Sequence, residues 1–211
     1  MDIKRQIDTF SRYSKVSRET IKKLIHYEKI LIEANKSLNL VGNSTISQIW
    51  TRHFLDSSQV IDFIDKNDKI LVDIGSGAGF PGIVLAILAD DRKMDLKVSL
   101  IEKSKKKNIF LTEVIKKLNL DVAQICQNIF DMKKITADVV VARAFKPLPI
   151  ILELIHNKVI NSKKFFVFLG KTGKKELDLA SKKWDIKYKL RMSKTSIDSF
   201  IVEINTVKEK I

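Results

Sequence analysis

One aspartate and three glycines at alternate positions could form the binding site of a small polar ligand: Asp73, Gly75, Gly77 and Gly79. Glycines in a turn permit positive φ and let the backbone approach a ligand, because no Cβ stands in the way. The apolar residues between 83 and 88 fall on one helical face, and a helix beginning there would present free N–H groups and a positive dipole end. The spacing therefore predicts a nucleotide-type ligand at a turn between a buried strand and a helix.

A second acid, Glu102, ends the next apolar run, 97–101. In nucleotide-binding α/β folds a carboxylate at this place binds the ribose hydroxyls, so we expect Glu102 to bind ribose; a surface acid beside Lys103 is the alternative. A dinucleotide site requires G-x-G-x-x-G, whereas here bulky Phe80 follows the third glycine, which disfavours a dehydrogenase. The spacing resembles instead the cofactor loop of class I S-adenosylmethionine-dependent methyltransferases, in which the strand-end acid and the glycine turn hold the methionine part.

The elements that must position these residues alternate between strand-like and helix-like runs. Short apolar runs without polar alternation indicate strands buried on both faces, which form parallel sheets covered by helices. The last two strands are too close together for a crossover helix and must be antiparallel. We therefore predict an α/β, Rossmann-like sheet, mostly parallel with an antiparallel last strand. The predicted strands cover 70–73, 97–101, 122–126, 137–142, 165–169, 186–190 and 200–207, and the helices cover 105–118, 147–159 and 176–182.

The first 65 residues have the periodicity of amphipathic helices. Ser17 supplies a helix start, and the pattern breaks at 39–43 before a second helical stretch, 46–64. We expect residues 1–65 to form a helical extension or lid, and residues 66–211 to form the Rossmann-like domain.

The charge composition favours a polyanionic partner. Lysine and arginine number 39 against 25 aspartate and glutamate, a net charge of +14, although solvated lysines without a binding role would give the same count. One cysteine, Cys126, excludes an internal disulfide, and its apolar surroundings predict a buried, inert thiol. We expect a cytoplasmic protein, since the chain shows no signal segment and no apolar run of membrane-spanning length. Metal-ligand spacings such as Cys-x-x-Cys are absent, so we expect no metal.

Five short motifs point to one family. They are FPG after the glycine turn, RHFLDS at 52–57, NLV at 39–41, KK at 106–107 followed by FL, and VVARAFKPLP at 140–149. Over nearly the whole chain they resemble the RsmG (glucose-inhibited division B) family of bacterial 16S ribosomal RNA guanine-N7 methyltransferases. The resemblance implies a class I methyltransferase domain with an N-terminal helical extension, S-adenosyl-L-methionine as donor, and 16S rRNA or the small ribosomal subunit as partner, with guanine 527 of the rRNA as target. We expect a monomer whose basic clusters face the RNA.

The resemblance also implies which residues bind. At the end of the third strand the family usually has Arg-Ala-Glu, whereas this chain has Asn128-Ile129-Phe130, so we expect the backbone of Ile129 and Phe130 and the Phe130 ring to replace the contact of the usual Glu to adenine. An i, i+4 salt bridge between Arg52 and Asp56 is the alternative to a substrate contact by Arg52. The predicted cofactor contacts are Asp73, Gly75, Gly77, Phe80, Glu102, Ile129, Phe130 and Arg143. The predicted substrate contacts are Asn39, Arg52, His53, Lys106 and Lys171.

Methylation of guanine N7 needs no general base, since N7 carries a lone pair and no proton. We therefore expect catalysis to depend on alignment of N7 with the sulfonium methyl group. Arg143, the predicted catalytic residue, is expected to orient the cofactor or the base, and no residue is expected to transfer a proton. Two alternatives remain open: a small-molecule methyltransferase of the same fold, and a non-catalytic RNA-binding or ribosome-assembly factor.

Overall fold

The seven strands predicted from the sequence are present, together with two short strands that were not predicted. The computed structural model describes residues 2–210 and contains nine strands in that range. Their bounds are β1 Ile70–Ile74, β2 Lys97–Ile101, β3 Val122–Ile125, β4 Ile135–Thr136, β5 Val139–Arg143, β6 Val159–Ile160, β7 Lys164–Leu169, β8 Trp184–Met192 and β9 Phe200–Glu209. Seven of them form one sheet in the order β3-β2-β1-β5-β7-β9-β8, and β4 pairs with β6 alone.

The sheet is mostly parallel, as predicted. β1, β2, β3, β5 and β7 run in one direction, and the last strand, β9, is antiparallel to both β7 and β8. β2 and β3 lie on one side of β1, whereas β5 and β7 lie on the other. The strand order therefore reverses between β1 and β5, and open α/β sheets bind ligands beyond the carboxyl ends of the strands at such a point.

The two longest helices, α2 (Arg18–Leu38) and α6 (Lys105–Lys117), begin at residues that cap them. Ser17 accepts a hydrogen bond from the Thr20 N–H at the start of α2, which confirms the predicted start, and Ser104 accepts one from the Lys107 N–H at the start of α6. The helices are α1 Ile3–Ser14, α2 Arg18–Leu38, α3 Asn43–Ile46, α4 Asp56–Ser58, α5 Gly82–Asp91, α6 Lys105–Lys117, α7 Leu148–Lys158 and α8 Gly173–Lys183. A π-helix covers Trp50–Leu55, and 3-10 helices cover Ile61–Phe63 and Ile129–Asp131.

Alternate residues of the strands enter two hydrophobic layers, one on each face of the sheet. Leu71 of β1 packs in the layer that contains α2, α5 and α6, whereas its neighbour Val72 packs in the layer that contains α7 and α8. Phe10 of α1 and Trp50 of the π-helix are fully buried in the first layer. The N-terminal helices therefore pack on the sheet through one continuous core, which places them beside the glycine turn.

Two predictions about local structure are wrong. The helix predicted over 46–64 is broken, because the chain passes from α3 through the π-helix and two further short helices before β1. Cys126, predicted to be buried, is exposed, because β3 ends one residue earlier at Ile125. The ends of the other predicted elements shift by up to three residues. The terminal residues of the two predicted domains, Met1 and Ile211, lie outside the described residues.

Candidate active site

The turn between β1 and α5 uses glycine where its backbone conformation demands it. Gly75, Gly77 and Gly79 have φ values of +74°, +59° and +90°, which other residues rarely adopt. A Cβ on Gly75 would lie 2.2 Å from the Phe145 ring, and a Cβ on Gly79 would lie 2.5 Å from the Ile83 side chain. Gly77 differs, since the nearest atom to its Cβ position is a backbone oxygen of the turn itself at 3.8 Å. A ligand can therefore approach the backbone at Gly77.

Tyr27 of α2 joins the N-terminal extension to this turn. Its side chain is fully buried, and its hydroxyl donates a hydrogen bond to the Ala78 carbonyl. Burial raises the pKa of Tyr27 well above its usual value, so the hydroxyl stays a donor. The ring stacks on Phe80 with centroids 5.5 Å apart, and Phe80 stacks on His53 at 4.9 Å. These rings hold the glycine turn against the extension.

Asp73 supports the turn from beneath. Its Oδ2 accepts a hydrogen bond of 2.9 Å from the Gly82 N–H, at the start of α5 where the helix dipole favours a carboxylate. A Cβ on Gly82 would lie 2.6 Å from this oxygen. The other oxygen, Oδ1, is buried without a hydrogen-bond partner among the described residues. Burial raises the pKa of Asp73 to about 7, against the lowering effect of the Gly82 N–H, so the carboxyl is partly protonated at neutral pH.

Glu102 braces the same turn from the side. Its Oε2 accepts a hydrogen bond of 3.0 Å from the Gly77 N–H, and its Oε1 accepts one of 2.8 Å from the Ser104 N–H at the start of α6. The side chain also lines a cavity together with Ile129 and Phe130. Glu102 therefore lies where a ribose-binding acid is predicted, and its carboxylate is held in place by two backbone donors.

Two adjoining cavities, together called the crevice below, open at the carboxyl ends of the strands. The first, about 250 Å³, lies between the turn and the extension, and the second, about 220 Å³, lies between Glu102 and the exit of β3. They share Gly75, Lys107 and Ala144. The crevice lies where strand order reverses, which is the predicted place for a ligand. Asp73 lines neither cavity. Among the predicted contacts, Gly75, Gly77, Phe80, His53 and Arg143 line the first cavity, and Gly75, Glu102, Ile129 and Phe130 line the second.

An aromatic pair narrows the crevice at its centre. The Phe145 ring covers Gly75 and stacks on Phe130, with centroids 6.1 Å apart and planes 17° apart. Phe130 is 40% exposed, whereas the preceding Ile129 is buried. The Lys158 side chain donates a hydrogen bond of 2.8 Å to the Phe130 carbonyl and so fixes this segment. At the exit of β3 this chain therefore presents an apolar ring face to the crevice.

Arg143, at the end of β5, is directed toward the extension. Its Nη2 donates hydrogen bonds to the Arg52 carbonyl at 2.7 Å and to His53 Nδ1 at 3.1 Å, and its Nη1 donates one to Ser57 Oγ at 3.3 Å. Its Nε lies 3.3 Å from Asp56 Oδ2. The predicted alternative, a salt bridge from Asp56 to Arg52, is thus not the ion pair that forms. π-helices recur at functional sites, and here the π-helix presents a carbonyl and an imidazole to one guanidinium.

His53 is held neutral. A guanidinium has only donors, so Nδ1 must accept from Arg143 and the ring proton resides on Nε2. Nε2 lies 2.8 Å from Thr45 Oγ1, and that hydroxyl donates to the Gly42 carbonyl. Burial, with the nearby Arg143 and Arg52 charges, lowers the pKa of His53 to about 3. With both ring nitrogens engaged and so low a pKa, His53 is a structural residue of the crevice wall rather than a proton carrier.

Of the five predicted substrate residues, His53 alone lines the crevice. Asn39 follows α2 in the left-handed region, with φ +46°, and is exposed. Lys106 is also exposed, whereas its neighbour Lys107 lines both cavities. Lys171 has a side chain that is 84% exposed and lies 3.6 Å from Asp198. The remaining two, Arg52 and His53, lie on the π-helix.

The described part of the chain contains neither a cluster of metal-ligand side chains nor a helix that could span a membrane. Among residues 2–210, no group of three or more His, Cys, Asp or Glu side chains is placed to hold a metal ion. None of the helices in this range has the length and apolar character needed to cross a membrane.

Comparison with known protein families shows to which family the chain belongs. A family model described as rRNA small subunit methyltransferase G (GidB) matches residues 20–202. The chain belongs to this family. Relatives include ribosomal RNA small subunit methyltransferase G of Pelagibacter ubique, 40% identical over 197 residues that cover 92% of each chain. The protein of the same name from Rickettsia felis is 39% identical over 196 residues, which cover 93% of this chain and 98% of that protein. The resemblance inferred from the motifs is therefore confirmed.

Several solved structures have the same fold as this chain. M. capricolum TrmK, in complex with S-adenosyl-homocysteine, matches with a TM-score of 0.52 and 19% identity over 71% of this chain and 66% of that one. Magnesium protoporphyrin IX methyltransferase of Synechocystis, with bound S-adenosylmethionine, matches with a TM-score of 0.60 and 14% identity over 85% of this chain and 97% of that one. At these identities the likeness shows the fold alone, and it confirms the predicted class I methyltransferase architecture.

Sequence reasoning did not assign three residues to the cofactor site: Phe145 and Lys107, which line the crevice, and Tyr27, which supports the glycine turn. Tyr27 and Phe145 reach the turn from distant parts of the chain, and their spacing in the sequence does not reveal these contacts. Lys107 could have been found, because it precedes the inward-facing Phe110 and Leu111 by three and four residues and so shares their side of α6. Helical phase therefore selects Lys107 rather than Lys106.

Proposed function

We propose that this chain transfers a methyl group from S-adenosylmethionine to N7 of a guanine in 16S rRNA, in the cytoplasm. Membership of the family supports the reaction class, and one structural observation supports N7. The histidine in the wall of the crevice is held neutral, with one ring nitrogen accepting from Arg143 and the other beside Thr45. N7 bears no proton, so its methylation needs no base, whereas an exocyclic amine or a hydroxyl must lose a proton.

The residues of the crevice suit S-adenosylmethionine. Gly77 leaves room beside the backbone, and Lys107, which lines both cavities, is a cation available for the carboxylate of the methionine part. Glu102 and Ile129 line the second cavity, where ribose and adenine would bind. The cofactor, when bound, supplies an electrophilic methyl group on a sulfonium. We therefore propose Gly75, Gly77, Phe80, Lys107, Glu102, Ile129 and Phe130 as its contacts, with Asp73 acting through the turn.

Arg143 supports the reaction by position. Its guanidinium contacts the Arg52 carbonyl and His53 of the π-helix, and Ser57 and Asp56 of α4. It also lines the first cavity. We infer that Arg143 holds the wall of the extension against the end of β5. The prediction that it orients the cofactor or the base directly stays a prediction. Alignment of this kind accounts for up to ~7–11 kcal/mol of the barrier in well-oriented reactions.

Labelled methyl transfer tests the proposal. Small ribosomal subunits from a strain that lacks the enzyme should accept label from S-adenosylmethionine, and mapping should place it at N7 of one guanine. Label on an exocyclic amine, or none on any ribosomal particle, would reject the proposal. Because net charge is +14, binding of rRNA should weaken steeply with salt. Transfer measured against pH should show no side-chain pKa near 7 other than that of Asp73, which acts through the turn.

One observation favours a second candidate, an RNA-binding factor without catalysis. The Phe145 ring covers Gly75 at the centre of the crevice, so cofactor access depends on that ring turning aside. Calorimetry with S-adenosylmethionine separates the two functions. Saturable binding that is lost in Glu102→Ala supports the enzyme, and heat no larger than dilution supports the factor.

A further inference from the structure

A third cavity adjoins the crevice at the end of β5. Its volume is about 250 Å³, and it opens beyond the carboxyl ends of β5 and β7. Arg143 and Ala144 line both this cavity and the first cavity of the crevice. The two cavities therefore adjoin at these two residues, and a group bound in one would lie near a group bound in the other. We name it the acceptor cavity, and its other polar lining residues are Arg52, Asp56, Ser193, Thr195 and Ser199.

The outer wall of the acceptor cavity is fixed to the extension. The turn between β8 and β9 carries Ser193 and Thr195, whose hydroxyls donate to Asp56 Oδ1 at 3.0 and 2.9 Å. The Lys194 N–H donates to the Gln59 side chain at 2.7 Å. Asp56 thus receives donors from the turn on one oxygen and from Arg143 on the other. Since these hydroxyls and this carboxylate are already paired, they shape the cavity without being free to bind.

Two lining side chains are left free to bind. The Arg52 guanidinium is exposed and makes no hydrogen bond or ion pair with any described residue, although its backbone carbonyl accepts from Arg143. The Ser199 hydroxyl is half-buried and has no hydrogen-bond partner among residues 2–210. The cavity therefore has two guanidiniums, Arg52 and Arg143, against a single carboxylate, Asp56. Its unpaired positive charge calls for a ligand that presents a hydrogen-bond acceptor.

We infer that the acceptor cavity receives the target guanine and that Arg52 selects it by donating a hydrogen bond to O6. This inference rests on the proposed function. The edge of guanine around N7 presents two acceptors, N7 and O6, whereas adenine presents N7 and the N6 amino donor. N7 must stay free for the methyl group, so a cation that reads this edge has O6 as its partner. The N6 amino group of adenine is a donor, like the guanidinium, so the two cannot form this hydrogen bond. Arg52 is thus a specificity-determining residue.

Removing O6 from the substrate tests the inference without relying on the variant alone. Small subunits are reconstituted with guanine or with 2-aminopurine, which keeps N7 and lacks O6, at the mapped position. Arg52→Gln should reduce kcat/KM on guanine by about 10- to 100-fold, the range for a hydrogen bond to a charged group. On 2-aminopurine, the same variant should differ from the wild type by less than about twofold, because the bond is already absent. Arg52→Lys, which keeps a cationic donor, should recover part of the loss on guanine.

The controls separate this inference from the proposed function. Arg5→Gln removes another exposed arginine that lines none of the cavities, and it should behave as the wild type on both substrates. Equal losses by Arg52→Gln on guanine and 2-aminopurine would overturn the inference and indicate a phosphate contact. No loss on guanine, or a loss traced by calorimetry to cofactor affinity, would also overturn it. If the wild type itself methylates neither substrate, the proposed function fails instead.

Discussion

Nη2 of Arg143 lies 3.1 Å from Nδ1 of His53 and joins the end of β5 to the π-helix of the extension. The contact requires an unprotonated Nδ1, so a second proton on the imidazole would both break the bond and place two cations side by side. This one hydrogen bond makes the wall of the crevice sensitive to acid, and it leads to the first prediction.

Replacing His53 should reduce the loss of unfolding free energy that the protein shows as pH falls. The folded protein resists protonation of His53 until about pH 3, whereas an unfolded chain takes up the proton near the usual pKa of 6.5. The unfolded state therefore binds more protons as pH falls, and stability on the order of a few kcal/mol is present above pH 6.5 and lost toward pH 3. Denaturant unfolding of His53→Gln between pH 3 and 7 should lack this loss, and His26→Gln, at an exposed histidine, should retain it. Parallel curves for the wild type and His53→Gln would contradict the assignment.

Asp73 should make the free energy of unfolding fall, rather than rise, as pH increases. Its pKa is about 7 in the folded protein against a usual 3.8, so its contribution to stability is fully present below pH 4 and is lost as pH rises through 7. Asp73→Asn, which retains an acceptor for the Gly82 N–H, should remove this decline. The measurement is the free energy of unfolding at intervals from pH 4 to pH 8, with the exposed Asp121→Asn as control. A decline that persists unchanged in Asp73→Asn would assign it to another group.

Removing one hydroxyl at Tyr27 should weaken the cofactor site from the extension. Tyr27→Phe keeps the stacking on Phe80 but leaves the buried Ala78 carbonyl without its donor, at a cost of about 1–3 kcal/mol in unfolding free energy. Because Ala78 belongs to the glycine turn, calorimetry should also show weaker binding of S-adenosylmethionine. Tyr13→Phe, at a tyrosine that is 51% exposed, should change neither quantity. Unaltered cofactor affinity in Tyr27→Phe would show that the turn keeps its shape without this bond.

The loss of unfolding free energy on replacing a glycine by alanine should depend on the space around that glycine. Gly79→Ala combines a φ of +90° with approaches of 2.5 Å to Ile83 and 2.7 Å to the Tyr27 hydroxyl, so it should cost roughly 3 kcal/mol from backbone strain and overpacking together. Gly77→Ala meets strain without a clash and should cost about 1–2 kcal/mol. Gly170→Ala, which meets no atom within 4 Å, should stay within about 0.5 kcal/mol of the wild type. Chemical denaturation of the three variants checks the order, and equal losses at Gly79 and Gly170 would refute it.

The sequence by itself determined the parts of the molecule that depend on local pattern. The run from Ile70 to Asp73, the glycines after it and the helix that follows are near neighbours along the chain, so their periodicity and turn chemistry predict them directly. The same logic placed Glu102 at the end of β2 and gave the mostly parallel sheet. Motif order was enough to identify the family, because it reflects ancestry rather than contacts.

Only the tertiary structure decided which side chains meet across the fold. Asp56 lies four residues from Arg52, yet it pairs with Arg143, because the π-helix faces the end of β5. Tyr27 reaches the glycine turn across 51 residues, and the turn after β8 closes the acceptor cavity because β9 lies inside the sheet and β8 at its edge. Such contacts arise from packing between distant segments, and packing is not encoded in the spacing of neighbours. The sequence therefore located the cofactor turn, while the partners of Arg143 and the freedom of Arg52 emerged from the folded chain.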